Sequence, residues 1–275
     1  MSVFDRLQNI DRRIMYLLLA IVIAVPLIWR MELPIIVSPA VRGVYKAVEK
    51  MPSDKLAIII IYWGSGTTAE NRPQVEALMR HLMMRGKRFA VLAFDPQGNE
   101  FSYQSGEQIA KELGKTYGVD WVQWGYRPPA NLLPLLLSFP KDVIGAFQTD
   151  HKGKKLADMP VMRGVKDIKD IGLLADTTSV GELDSWIAYV HGPYRTPIVY
   201  GPTAVIAPEA FNSLDAGQIT GLLAGMKGAA EYEHLLNEKG FATRAASALS
   251  TSHVLIIVLI ILGNIGYISS RRRAE

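Results

Sequence analysis

The segment Gly64-Ser65-Gly66-Thr67-Thr68 directly follows the unbroken apolar run Leu56 to Tyr62. A glycine- and hydroxyl-rich loop in that position exposes backbone N–H groups that can cradle an anion at the start of a helix. The GxxxxGK[ST] phosphate loop is absent, and Ala69 stands where the third glycine of GxGxxG would be, so no nucleotide signature is complete. A plain connecting turn would use the same residue types. Four other loops have a similar character: Asp95 to Tyr103, Trp124 to Pro129, Asp176 to Ser179 and Gly201 to Pro208. From these loops we single out Trp63, Ser65, Gly66, Thr67, Asp95, Trp124, Tyr126, Arg127, Asp176 and Thr177 as candidate ligand contacts. Together with Tyr62, Tyr194 and Tyr200, and with Arg72 and Arg195 close by in sequence, they would wall an aromatic cleft with cationic corners if the loops converge. Such a cleft suits a small organic anion or an acidic peptide, although core packing would explain most of the aromatics as well.

Covalent chemistry finds weaker support. Ser65, His191 and Asp176 are the residue types of a hydrolytic triad, but Trp63-Gly64-Ser65-Gly66-Thr67 is not the GxSxG elbow that presents a nucleophile. The five histidines are scattered and form no HExxH pair, so no metal site is expected. The chain has no cysteine, which excludes thiolate metal ligands, disulfides and a cysteine nucleophile. No cofactor is implied.

The elements that must position these loops read as a doubly wound α/β fold. Leu56 to Tyr62 has the continuous β-branched character of a strand buried on both faces of a parallel sheet. Further strands are expected at Phe89 to Phe94, Val119 to Gln123, Ile171 to Ala175 and Ile198 to Tyr200. Helical patterns lie between them, at Pro73 to Arg85, Glu107 to Tyr117, Ala130 to Leu137 and Val180 to Val190. The alternation implies βαβ crossovers and a mostly parallel sheet of about five strands, with ligands bound beyond the carboxyl ends. Ser38-Pro39 marks a helix start, with serine as N-cap and proline at the first helical position, followed by Val41, Val44, Tyr45 and Val48 at helical spacing. The segment from Lys141 to Lys169 has no readable period.

After Ser213 a long helix is expected, in which Gly217, Gly221, Gly225 and Ala229 recur every four residues. An interior glycine costs about 1 kcal/mol relative to alanine, so such a stripe points to close approach of another backbone. The partner is either the protein's own sheet or a second subunit.

Apolar, uncharged stretches frame this domain. Met15 to Trp29 lies between Arg13 and Arg30, and Ala245 to Ser270 ends at Arg271-Arg272-Arg273. Both read as membrane spans, the first as a retained anchor because no small-x-small cleavage site follows it. The expected organisation is a tail over 1–13, a transmembrane helix over 14–30, an α/β domain over 38–240, a second transmembrane helix over 250–270 and a basic tail over 271–275. Basic residues near the anchors number six on each side, but short tails obey the positive-inside rule and long domains translocate regardless, so both termini are placed in the cytoplasm and the domain outside. Of the 30 basic and 26 acidic residues, the termini hold seven and three, which leaves residues 31–250 with 23 of each. That neutral balance argues against nucleic-acid binding, and the lipid bilayer is the partner implied by the basic flanks.

The sequence thus supports a two-pass membrane-anchored α/β domain acting as a non-catalytic ligand- or partner-binding module, with self-association as a further expectation. A tethered hydrolase or transferase and a scaffold subunit of a membrane complex are the alternatives.

Overall fold

A computed structural model describes residues 11–29 and 34–274, with side chains through residue 268. Arg6, Arg30 and most of the expected 1–13 tail lie outside the described residues, as do Glu275 and the side chains of Arg271 to Arg273. The chain divides into two compact units. One combines residues 1–34 with 243–275, and the other is Ile35–Ala242.

The first unit contains helix α1 (Arg12–Trp29) and most of a long C-terminal helix. Arg12–Trp29 spans 18 residues and Phe241–Ile268 spans 28; both are long and apolar enough to cross a membrane. Within this unit the Thr251 hydroxyl donates to the Val22 carbonyl at 3.1 Å. It also lies near the Ser247 and Ala248 carbonyls of its own helix.

The second unit is an α/β layer structure. Its elements run α2 (Pro39–Lys50), β1 (Leu56–Tyr62), α3 (Thr68–Met84), β2 (Arg88–Ala93), α4 (Pro96–Leu113), β3 (Trp121–Tyr126), α5 (Leu132–Ser138), α6 (Val143–Phe147) and β4 (Ile171–Thr178). They continue with α7 (Leu183–Trp186), a π-helical turn at Ile187–His191, α8 (Gly192–Tyr194), β5 (Ile198–Pro202), α9 (Ala207–Asp215), β6 (Gly221–Leu222) and α10 (Gly225–Leu235); the C-terminal helix of the first unit is α11 (Phe241–Ala274). Among the described residues, six strands form one sheet in the order β3-β2-β1-β4-β5-β6, and every pairing is parallel. The order reverses between β1 and β4, where Ile61 lies beside Thr177 and Tyr62 beside Thr178.

The uninterrupted apolarity of β1 has a direct explanation. Ile58 and Ile60 enter one core, with Leu92, Trp124, Leu174, Trp186 and Tyr200, while Ile59 and Ile61 enter the other, with Val75, Leu78, Phe89, Trp121 and Leu173. A central strand covered on both faces has no side to leave polar. Ser38 caps α2 as its sequence suggests, its oxygen accepting from the Val41 amide while its hydroxyl donates to Glu231 at 2.6 Å. Val41, Val44 and Val48 are buried.

Two sequence expectations need correction. Strands β3 and β4 extend further than their apolar runs, so Trp124, Tyr126, Asp176 and Thr177 are strand residues rather than loop residues. The β-branched Thr177 and Thr178 favour continued pairing with β1, and this carries Asp176 into the sheet interior. The long glycine-striped helix after Ser213 does not form. Gly217 sits in a turn at φ +71°, Gly221 belongs to β6, and Gly225 begins α10 at φ +54°. The close approach inferred from the glycines is present, but it is made by a strand. A Cβ at Gly221 would collide with the backbone nitrogen of Val44 in α2.

Candidate functional site

The loops after β1 and β4 flank the strand-order reversal, the place where open parallel sheets leave a crevice. Two buried amide side chains on α3 hold the strand ends there. Asn71 donates from Nδ2 toward the carbonyls of Thr178 and Gly201 at 3.1 and 3.2 Å. Gln74 donates from Nε2 toward the carbonyls of Pro202, Leu223 and Gly225 at 2.9–3.2 Å. Side chains of a single helix therefore join the carboxyl ends of β4, β5 and β6, satisfying backbone groups where the ladder ends.

Within this frame lies a buried pair of carboxyl groups. Asp176 is wholly inaccessible in β4, and Glu182, just before α7, is 7% exposed. All four carboxyl oxygens are shut away from solvent, and the groups in reach of them are the other carboxyl, Thr178 and the Glu182 amide. The two carboxyls interact with each other, and burial together with the Glu182 charge raises the Asp176 pKa well above the carboxylate range. Burial pushes Glu182 up to about 7, a rise only partly offset by Thr178, Asp176 and its own amide. A pair in this state holds a proton at neutral pH, because two adjacent buried carboxylates cannot both ionise cheaply.

Phenols and further acids surround the pair. Tyr200, paired in register with Asp176, is shifted upward by burial and then by Asp176, Glu182, Glu209 and Asp184. Tyr62 at the end of β1 is raised by burial and by Glu182, Tyr126 and Asp95. The environment is thus electronegative, opposite in sign to the cationic cleft expected from the loop arginines. Arg72 pairs with Glu76 at 2.8 Å and approaches Ser105, and Arg127 donates to the carbonyls of Tyr126 and Phe147. Burial lowers the Arg127 pKa.

The other expected contacts are distributed as follows. Trp63 is buried and donates from its indole to Thr177 Oγ1 at 3.2 Å, while Thr177 donates to the Ile60 carbonyl at 2.6 Å. Trp124 is buried and stacks on Phe147 with ring centroids 4.0 Å apart. These two indoles belong to the cores, so they do not wall a cleft. Asp95 caps α4, accepting from the amides of Gln97 and Gly98 at 2.8 Å each. Its carboxyl also lies close to Gly64. Ser65 is exposed and its amide donates to Gln97 Oε1, Gly66 faces open space, and Thr67 is half-buried. With Asp95 beside the loop and one amide already engaged, this turn is poorly suited to an anion. The supposed triad is not assembled, since Asp176 pairs with Glu182 and the His191 Nδ1 lies 3.1 Å from the Thr196 carbonyl. Among the described residues, no group of three or more histidine, aspartate or glutamate side chains is arranged to hold a metal ion.

Glu182 escaped the sequence reading. It lies in Val180-Gly181-Glu182-Leu183, which carries no motif. The usable signal was Asp176 itself, a charged residue ending the apolar run Ile171 to Ala175.

No family model matches the chain, and no curated protein matches it. Among solved structures it is similar to the molybdenum cofactor carrier protein from Chlamydomonas reinhardtii, at 22% identity over 67% of this chain and 99% of that one, with a TM-score of 0.33. A likeness of that size carries no functional argument, and the chain is described by its fold: an all-parallel, six-stranded α/β domain with an apolar helix at each end.

Proposed function

We propose that this protein is a membrane-anchored α/β module that binds a small ligand at the crevice over β1 and β4, with its domain outside the cytoplasm and both termini inside. The observation that carries the reading is the Asp176–Glu182 pair. Two adjacent carboxyls taken out of water oppose folding, and a native protein rarely keeps them without a purpose at that point. Their place at the strand-order reversal is where this architecture binds ligands.

The reading has a test that needs no ligand. In the full-length protein in detergent at pH 8, Asp176→Asn removes like-charge repulsion and gives Glu182 a donor, so the melting temperature should rise by several degrees, corresponding to about 1–2 kcal/mol. A fall would mean that the pair is part of the fold's own support and would remove the basis of the proposal.

A second reading, acid–base catalysis, draws on Glu182 being pushed up to about 7, the range of a working general acid or base. Mass spectrometry of a bound compound after incubation separates the two: an unchanged compound supports binding alone, and a product supports the enzyme.

A further inference from the structure

His81 lies in the second half of α3, away from the Asn71 and Gln74 amides, and is shut off from solvent. Its Nδ1 stands 2.7 Å from the Tyr232 hydroxyl of α10 and its Nε2 3.1 Å from Glu49 Oε1 of α2. The Tyr45 ring of α2 stacks on the imidazole with centroids 4.6 Å apart, and Arg85 donates to the same Glu49 oxygen at 2.8 Å. Burial works against the Glu49 charge, but hydrogen bonds from Arg85, His81 and Tyr45 outweigh it and lower that carboxyl to about 2. A carboxylate only accepts, so Nε2 carries the ring hydrogen and Nδ1 is left to accept from the Tyr232 O–H.

Tyr232 is the middle of three consecutive buried residues, each tying α10 to a different helix. Glu231 accepts from the amide and hydroxyl of Ser38, which caps α2, at 2.8 and 2.6 Å. Glu233 accepts from the amide of Ala242, the last residue of the domain, at 3.1 Å. Helix α10 thus fixes both ends of the domain, and the bond to His81 secures α10 between those two ties. We infer that His81 is an acid-operated latch: a proton arriving at Nδ1 breaks the Tyr232 bond and loosens α10 together with the two chain ends it holds. With hydrogens on both ring nitrogens, Tyr232 must turn to accept, and its own hydrogen is stranded where no water reaches. The titratable and charged groups facing the ring are Tyr45 and Glu49 on α2, Arg85 on α3 and Tyr232 on α10. Burial opposes the imidazolium most strongly, Glu49 favours it and Arg85 adds to the opposition, so the His81 pKa lies below the ordinary histidine value. A depressed value means stability that is present above the unfolded pKa and lost as pH falls through the folded one. The Glu49 side chain is 33% exposed, which gives protons a route to the ring without unfolding.

The test follows amide hydrogen exchange in the full-length protein in detergent between pH 8 and pH 5, as protection relative to each amide's intrinsic rate. Protection in α2 and in the second half of α10 should fall about tenfold, the change that one stranded buried donor produces. Protection in β4, where the Asp176–Glu182 pair gains protons over the same interval, should not fall. Nitrogen NMR of the His81 ring should show hydrogen on Nε2 alone at pH 8, and the second proton should arrive together with the loss of protection. His81→Gln should abolish the pH dependence. Tyr232→Phe removes a single oxygen and carries the test if the glutamine variant does not fold; its α10 should show the low protection already at pH 8. Loss of protection with the ring still neutral, protonation with protection unchanged, an equal fall in β4, or an unaltered pH dependence in Tyr232→Phe would overturn the inference.

Discussion

The fully buried Asp176 and the nearly buried Glu182 put a pH dependence into the stability of this domain, and its sign follows from the direction of their shifts. Glu182 moves from an ordinary 4.5 to about 7, and Asp176 also moves upward, so between those values the folded chain holds protons that the unfolded chain releases. A raised carboxyl pKa means stability that is fully present below the unfolded value and lost as pH rises through the folded one. For Glu182 the loss is on the order of 3 kcal/mol, since each unit of pKa corresponds to about 1.4 kcal/mol. Urea midpoints of the full-length protein should therefore fall between pH 5 and pH 8, and Glu182→Gln should flatten that fall; an equally steep fall in the variant would assign the dependence to other groups. Half of this pair could be read from the residues alone, because an aspartate closing an apolar strand run stands out. Its partner could not, because Glu182 reaches Asp176 only through the loop that folds back after β4. Asp95, expected as a ligand contact, was followed by Pro96, the signature of a helix N-cap, and capping is the role it plays.

Among the elements, α3 and β6 decide whether the crevice keeps its shape. The Gln74 amide donates toward three carbonyls in this interior, those of Pro202 and Leu223 at the strand ends and of Gly225 at the start of α10. Replacing it with leucine keeps the volume but strands those groups. Chemical denaturation should show a loss of about 2–4 kcal/mol, given 1–3 kcal/mol for each buried group left unsatisfied. If Gln74→Leu is neutral, water serves those carbonyls instead and the clamp is not structural. The glycines after Ser213 separate in the same assay. Gly217 has open space around a Cβ but a left-handed φ, so Gly217→Ala should cost about 1–2 kcal/mol. Gly221 lies against the α2 backbone, so Gly221→Ala must push strand and helix apart and should cost more, about 1–3 kcal/mol or above. Equal costs would mean that the contact of β6 with α2 yields easily. The four-residue spacing that suggested one long helix is an accident of a turn, a strand and a helix start placed in succession. Periodicity records spacing and is blind to the positive φ that ends a helix.

For the molecule as a whole, the expected topology has a direct measurement. Protease added to intact spheroplasts should digest the central domain without lysis, leaving fragments that carry the anchors; protection until lysis would reverse the orientation and place the domain among cytoplasmic metabolites. Residue type and order determined much by themselves. The β-branched run of β1 and the alternation of strands with helices specify a parallel sheet covered on both faces, since no other arrangement buries so apolar a strand, and uncharged stretches of sufficient length specify two helices able to cross a bilayer. The sixth strand stayed hidden because two residues, Gly221 and Leu222, give no period to read. What only the tertiary structure decided is the character of the site. Trp63 and Trp124 turned into the cores, Arg72 and Arg127 found other partners, and two carboxyls distant from any motif came together beside β5. Those outcomes depend on which strands lie side by side and how their ends are tied, and the free energy of a buried charge is set by such neighbours rather than by its place in the chain.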